Sequence, residues 1–325
     1  MSTSEQHLRG SGARSPRAAS WRGWRRWAVR LSACVGLLLL VGIGAVALSP
    51  ASLLNVLCLW GNYQVTGGVA YASGPRHQLD VYAPSPRQGG APVVVFFYGG
   101  NWESGDKSIY RFVGAALAAK GLVAIIPDYR IYPEVRFPAF VEDGALAVRW
   151  AHDHAAEFGG DPDRLVLMGH SAGAQIAAML TFDRQWLAAV NLESRRALKG
   201  LVGLAGPYDF LPLDSPTLKI IFGPEDRLAE TQPINFVDGT APPVLLATGR
   251  DDDVVRPGNT SRLARRIAER GGLATVAVYD RVGHRTLIGA FAPPLRSLAP
   301  ALQDTVAFIG RVTRQSGSSV AAAPR

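Results

Sequence analysis

From residue 92 onward the chain keeps returning to short, fully apolar runs. They are PVVVFFY (92–98), GLVAIIP (121–127), RLVLM (164–168), GLVGLAG (200–206), PVLLATG (243–249) and ATVAVY (274–279). Runs of this length, rich in β-branched and aromatic residues and lacking polar alternation, have the character of strands buried on both faces. Segments with helical periodicity lie between most of them, at 107–120, 138–157, 172–188 and 258–270, and a last one near 293–312 closes the series. Strand–helix alternation demands right-handed crossovers and a mostly parallel sheet with helices on both faces. Two amphipathic strands, VAYAS (69–73) and HQLDVYAP (77–84), precede the series across a Gly-Pro turn. The proline-rich, weakly periodic stretch 207–241 breaks the alternation and reads as a lid or pocket wall between two core strands.

Charge is distributed unevenly. The net charge is +8, and residues 1–30 carry seven arginines against Glu5 alone, so six of those eight charges belong to the tail. The remainder is nearly neutral, which argues against a nucleic-acid footprint. Residues 31–49 follow without a single charge. A basic tail before an apolar run of that length predicts a transmembrane anchor or a signal segment. Positive charge stays inside, so the rest of the chain is expected outside the cytoplasm, either anchored or released as a secreted or periplasmic protein. Residues 1–30 and 313–325 read as disordered tails around a domain at 65–312. Two cysteines, Cys34 and Cys58, indicate neither a disulfide framework nor a thiolate metal site.

The run RLVLM leads into GHSAGAQ, which sets Ser171 between Gly169 and Gly173. A bare G-x-S-x-G arises by chance in a glycine-rich chain. Here an apolar strand precedes it and the helix start AGAQIAAML follows, as a strand-turn-helix that exposes a nucleophilic serine requires. A serine hydroxyl needs a base, usually a histidine oriented by a carboxylate. Only His284 follows Ser171, in the loop after the last strand, and the chain order serine, acid, histidine suits this architecture. His170 is expected to point away across the turn. After the strand VLLATG, the segment RDDDVV offers Asp251, Asp252 and Asp253; spacing from Gly249 and Val255 favours Asp252. Asp209 in GPYDF is the outside alternative, read as shaping the excursion. YGGNW (98–102) lies where backbone donors for an oxyanion are needed, so Gly99, Gly100, Asn101 and Ala172 are the expected donors. Trp102, Tyr208 and Phe210 are expected at the substrate, with Leu211, Ile221 and Phe222 near an acyl pocket.

With these motifs in order, the chain resembles the α/β-hydrolase superfamily, in its esterase and lipase branch. That branch includes the hormone-sensitive-lipase group, kynurenine formamidases and isoprenylcysteine methylesterases. The resemblance is carried by LDVYAP (79–84), YGGNWESGDK (98–107), PDYRIYP (127–133), FGGDPDRLVLMGHSAGAQ (158–175), GLAGPYDF (203–210), GRDDDVVRP (249–257) and VGH (282–284). It implies Ser171 as nucleophile, Asp252 as acid and His284 as base, with the glycine loop as oxyanion hole. The family usually writes His-Gly-Gly where this chain has Tyr98. The implied activity is serine carboxylic-ester hydrolysis of a small-molecule ester through an acyl-enzyme, with no metal or organic cofactor called for. An amide hydrolase, such as a formamidase or peptidase, uses the same triad. A non-catalytic, membrane-tethered binding protein on this fold would lack a triad member.

Overall fold

A computed structural model of the chain describes residues 24–37, 54–55, 58, 61–87 and 89–314. Among them eight strands form one sheet: β1 (Tyr63–Ala70), β2 (Gln78–Pro84), β3 (Ala91–Phe97), β4 (Val123–Pro127), β5 (Gly160–His170), β6 (Leu198–Leu204), β7 (Val244–Gly249) and β8 (Ala274–Tyr279). Their order is β1-β2-β4-β3-β5-β6-β7-β8. β2 runs antiparallel to both β1 and β4, and every other pair is parallel. The longer helices are α1 (24–37), α2 (Arg111–Ala118), α3 (Ala139–His154), α4 (Ala172–Phe182), α5 (Pro216–Phe222), α6 (Gly258–Glu269), α7 (His284–Gly289) and α8 (Ala301–Val312). This is the mostly parallel sheet with flanking helices that the resemblance implies.

The apolar runs became strands because each is covered on both sides. β3, β4 and β7 are buried along almost their whole length. Phe97 pairs with Gly169 and His170 with Leu204, so β3, β5 and β6 end at one level. The loops after β3, β5, β7 and β8 therefore leave the same edge, where open α/β sheets bind their ligands.

Several boundaries differ from the sequence expectation. The first strand runs from Tyr63, where it pairs with Pro84, and continues through a bulge at Gly67–Gly68; the Gly68 amide donates to the Asp80 carboxylate at 2.9 Å. β8, expected to be buried on both faces, is an edge strand paired only with β7, and Val276 and Val278 remain exposed. The helix expected over 172–188 ends at Phe182 and resumes as the short turn Gln185–Ala189. Pro293, Pro294 and Pro300 delay the last helix to Ala301. The excursion 207–241 holds α5 and two 3-10 turns, Glu225–Thr231 and Pro233–Phe236. At the N-terminus, α1 includes residues 31–37 of the expected anchor, and residues 38–49 lie outside the described residues. No helix among the described residues is long and apolar enough to cross a membrane. Of the expected disordered tails 1–30 and 313–325, residues 1–23 and 315–325 also fall outside them, whereas residues 24–30 are helical in α1 and Thr313 is buried at the end of α8.

Candidate active site

Ser171 is the single residue between the last residue of β5 and the first of α4. Its backbone is held at φ 55°, ψ −126°, a conformation that non-glycine residues adopt at a cost of about 1–3 kcal/mol. The flanking glycines make the turn possible sterically. A Cβ on Gly169 would lie 2.2 Å from the Gly173 carbonyl oxygen, and one on Gly173 would lie 2.1 Å from that of Phe97. No side chain fits at either place.

The Ser171 hydroxyl donates to Nε2 of His284 at 2.8 Å, and Nδ1 of His284 donates to Oδ2 of Asp252 at 2.9 Å. The other oxygen, Oδ1, accepts the amides of Val254 at 3.1 Å and Val255 at 2.8 Å. Both oxygens of this buried carboxylate are thus engaged, whereas Asp251 and Asp253 are exposed. Three side chains separated by up to 113 residues meet in one hydrogen-bonded line. His284 is not in a loop: it opens α7, where the Gly283 amide donates to Thr286 Oγ1 at 2.8 Å.

His170 makes contacts that the sequence did not reveal. Its ring packs 4.8 Å from that of His284, and its Nε2 donates to the His284 carbonyl oxygen at 3.2 Å. Burial, reinforced by neighbouring His284, pulls its pKa down to about 3.

The loop after β3 folds against the serine. A Cβ on Gly99 would stand 2.8 Å from that of Ser171. The Gly100 carbonyl is turned into the loop, where it accepts the Glu103 and Ser104 amides at 3.1 and 2.9 Å. Asn101 and Trp102 have φ of 54° and 57°, and Asn101, Ser171 and Ala172 border one cleft of about 550 Å³. As first residue of α4, Ala172 has an amide with no intrahelical acceptor.

Tyr98, which replaces the histidine of the resemblance, anchors this loop. Its hydroxyl donates to Asp128 at 2.7 Å and accepts from Arg76 at 2.9 Å. Its ring stacks between Tyr129, at 4.8 Å, and Tyr110, at 5.5 Å. Burial raises the Tyr98 hydroxyl well above the ordinary tyrosine range, so it stays a donor.

Of the expected substrate-side residues, Trp102, Phe210 and Leu211 border the cleft. Tyr208 does not: it is fully buried, its ring turned into the space beside Gly203 and Gly206. Ile221 and Phe222 are also buried and do not border it. Asp209 pairs with Arg262 on α6, which fixes the excursion as expected of a shaping residue. Sequence reasoning missed Gln175, whose Oε1 accepts the Trp102 indole N–H at 3.2 Å. A polar residue four positions after Ser171 in a helix buried throughout was the available signal. Arg76, and Asn259, whose Oδ1 accepts the Tyr208 and Asp209 amides at 3.0 Å, gave none, because their partners lie 22 and about 50 residues away. Among the described residues no cluster of His, Cys, Asp and Glu is placed to hold a metal ion.

Comparison with known proteins agrees with this architecture. A family model described as BD-FAE matches residues 79–267. The probable isoprenylcysteine alpha-carbonyl methylesterase ICMEL1 of Arabidopsis thaliana is 29% identical over 245 residues, covering 69% of this chain and 51% of its own. Esterase LipC of Mycobacterium tuberculosis is 30% identical over 206 residues, covering 58% of this chain and 51% of its own. The chain thus spans about half the length of these relatives. Among solved structures, a truncated carbohydrate esterase from gut microbiota superposes with a TM-score of 0.69 at 22% identity, covering 79% of this chain and 99% of that one. That likeness shows the fold.

Proposed function

Because the chain belongs to the BD-FAE family, within the esterase and lipase branch of the α/β-hydrolases, we propose that it is a serine carboxylic-ester hydrolase. The observation that carries this reading is the unbroken line from Ser171 Oγ through His284 to Asp252. His284 Nε2 takes the hydroxyl proton as Ser171 Oγ bonds to the ester carbonyl carbon. The amides of Ala172, Gly100 and Asn101, with Gly99 beside them, receive the oxyanion, each such donor contributing about 3 kcal/mol. The C–O bond to the alcohol then breaks, and His284 returns its proton to the leaving oxygen. Water, deprotonated by the same imidazole, attacks the acyl carbon; the C–Oγ bond breaks, His284 returns the proton to Ser171 Oγ, and the acid is released. Asp252 holds the Nδ1–H tautomer that leaves Nε2 free to accept.

Two measurements test the proposal: labelling by a fluorophosphonate and turnover of p-nitrophenyl acetate. Both are expected in the wild-type chain, and Ser171→Ala should abolish labelling and lower kcat about 10⁴-fold or more. Full turnover without Ser171 removes the proposal. Faster cleavage of matched anilides than of esters would make the enzyme an amide hydrolase.

The proposed location rests on the arginine-rich tail and the uncharged run 31–49. Membrane or extracytoplasmic recovery of the full-length chain on cell fractionation is the expected result. Recovery in the cytosolic fraction overturns it.

A further inference from the structure

Trp102 borders the Ser171 cleft while only 3% exposed, so almost all of it is covered by neighbouring side chains. Several contacts fix its indole. The N–H donates to Gln175, the ring stacks on Phe210 at 5.8 Å, and it meets Phe222 edge-on at 4.7 Å. On its far side, Phe222 borders a second cavity of about 180 Å³, walled also by Phe137, Trp186, Thr231 and Phe236. The fully buried Gln175 ties the two sides together, because its Nε2 donates to the Thr231 carbonyl at 3.1 Å. Trp102, Phe222 and the Gln175–Thr231 link thus form a partition between the cleft and a second, partly open space, aromatic on the side of Phe222 and bordered by Gln185, Arg227 and Glu230 elsewhere.

We propose that this partition is the end wall of the acyl site, that the enzyme takes short-chain acyl esters, and that the second cavity is the closed-off continuation of that site. The inference rests on the hydrolase reading and deepens it. In the tetrahedral adduct the leaving oxygen faces His284 Nε2, which must protonate it, and the oxyanion faces the loop and Ala172 amides. The remaining substituent, the acyl chain, is directed at the wall of Trp102 and Phe210. A wall held by a hydrogen bond and two aromatic contacts yields little, so the length limit is abrupt.

The test is kcat/KM across p-nitrophenyl esters from acetate to dodecanoate, and across acetate esters of alcohols of rising length. The wild-type chain is expected to be fastest at about two to four acyl carbons and at least about tenfold slower by eight. Trp102→Ala should move the optimum to longer acyl chains, and Phe222→Ala, approaching from the second cavity, should move it the same way. Gln175→Leu, which keeps the volume and frees the indole, should blunt the limit. Trp102→Leu makes the same comparison if the alanine variant does not fold. Folded variants that keep the wild-type profile overturn the inference, as does a wild-type preference for eight carbons or more, or a shift confined to the alcohol series. Absence of turnover on every ester together with absence of fluorophosphonate labelling at Ser171 would instead remove the hydrolase reading, and this inference with it.

Discussion

The imidazole of His170 lies 4.8 Å from that of His284 and donates from Nε2 to the His284 carbonyl oxygen, so the residue before Ser171 holds the main chain of His284. Because burial keeps its pKa near 3, His170 stays neutral when His284 becomes cationic. The unfolded chain protonates this group near pH 6.5, so between there and about pH 3 it binds the proton that the native state refuses. The stabilisation is complete above the unfolded value and drains as pH falls, by about 1 kcal/mol per pH unit. In His170→Gln, whose amide still donates, the loss of stability between pH 7 and 5 should be shallower. Denaturant melts at each pH check it, and parallel slopes for the two proteins would count against it.

Asp252 uses all its acceptors in holding the Nδ1 proton and the turn at Val254 and Val255. Asp252→Asn should preserve the fold and lower kcat about 10⁴-fold, since the amide no longer enforces the tautomer. The exposed Asp251→Asn should change kcat by less than about twofold. Steady-state kinetics on the two variants distinguishes the adjacent carboxylates.

Tyr98→Phe removes a hydroxyl that lies between Asp128 and Arg76. Leaving that buried carboxylate with the Lys107 amide, at 2.8 Å, but without the hydroxyl should cost about 1–3 kcal/mol. Because Tyr98 begins the loop carrying Gly99 to Asn101, kcat should fall more than KM changes. Tyr98→His tests whether the usual family residue can fill the same place. Melting curves with kcat and KM measured separately decide both.

Two glycine replacements should act in opposite directions. Gly173→Ala pushes a methyl to 2.1 Å from the Phe97 carbonyl oxygen and should lose more than about 4 kcal/mol. Gly310 lies exposed within α8 with nothing within 4 Å of its would-be Cβ. There alanine should stabilise by about 0.5–1 kcal/mol. Chemical denaturation of the two variants measures the difference.

The turn at Ser171 was legible because its constraint is local: glycines two residues either side of a serine, between a strand and a helix. Choosing Asp252 over its neighbours was legible through spacing alone. Tyr208 was misplaced because its neighbours in sequence, Asp209 and Phe210, border the cleft, and nothing nearby reveals that Gly203 and Gly206 leave a slot for its ring. β8 was misjudged because an apolar run looks the same in the middle of a sheet and at its edge, and only strand order tells them apart.

By itself, the sequence determined the alternation of strands and helices, the elbow at Ser171, and the chain order of serine, acid and histidine. These depend on periodicity and turn sterics, which act over a few residues. Tertiary structure alone decided that His170 supports His284, that Arg76 clamps Tyr98, and that Gln175 fixes Trp102 against a second cavity. Contacts of that kind exist only once the sheet order has brought distant strand ends to one edge, and no local pattern encodes which side chains then meet.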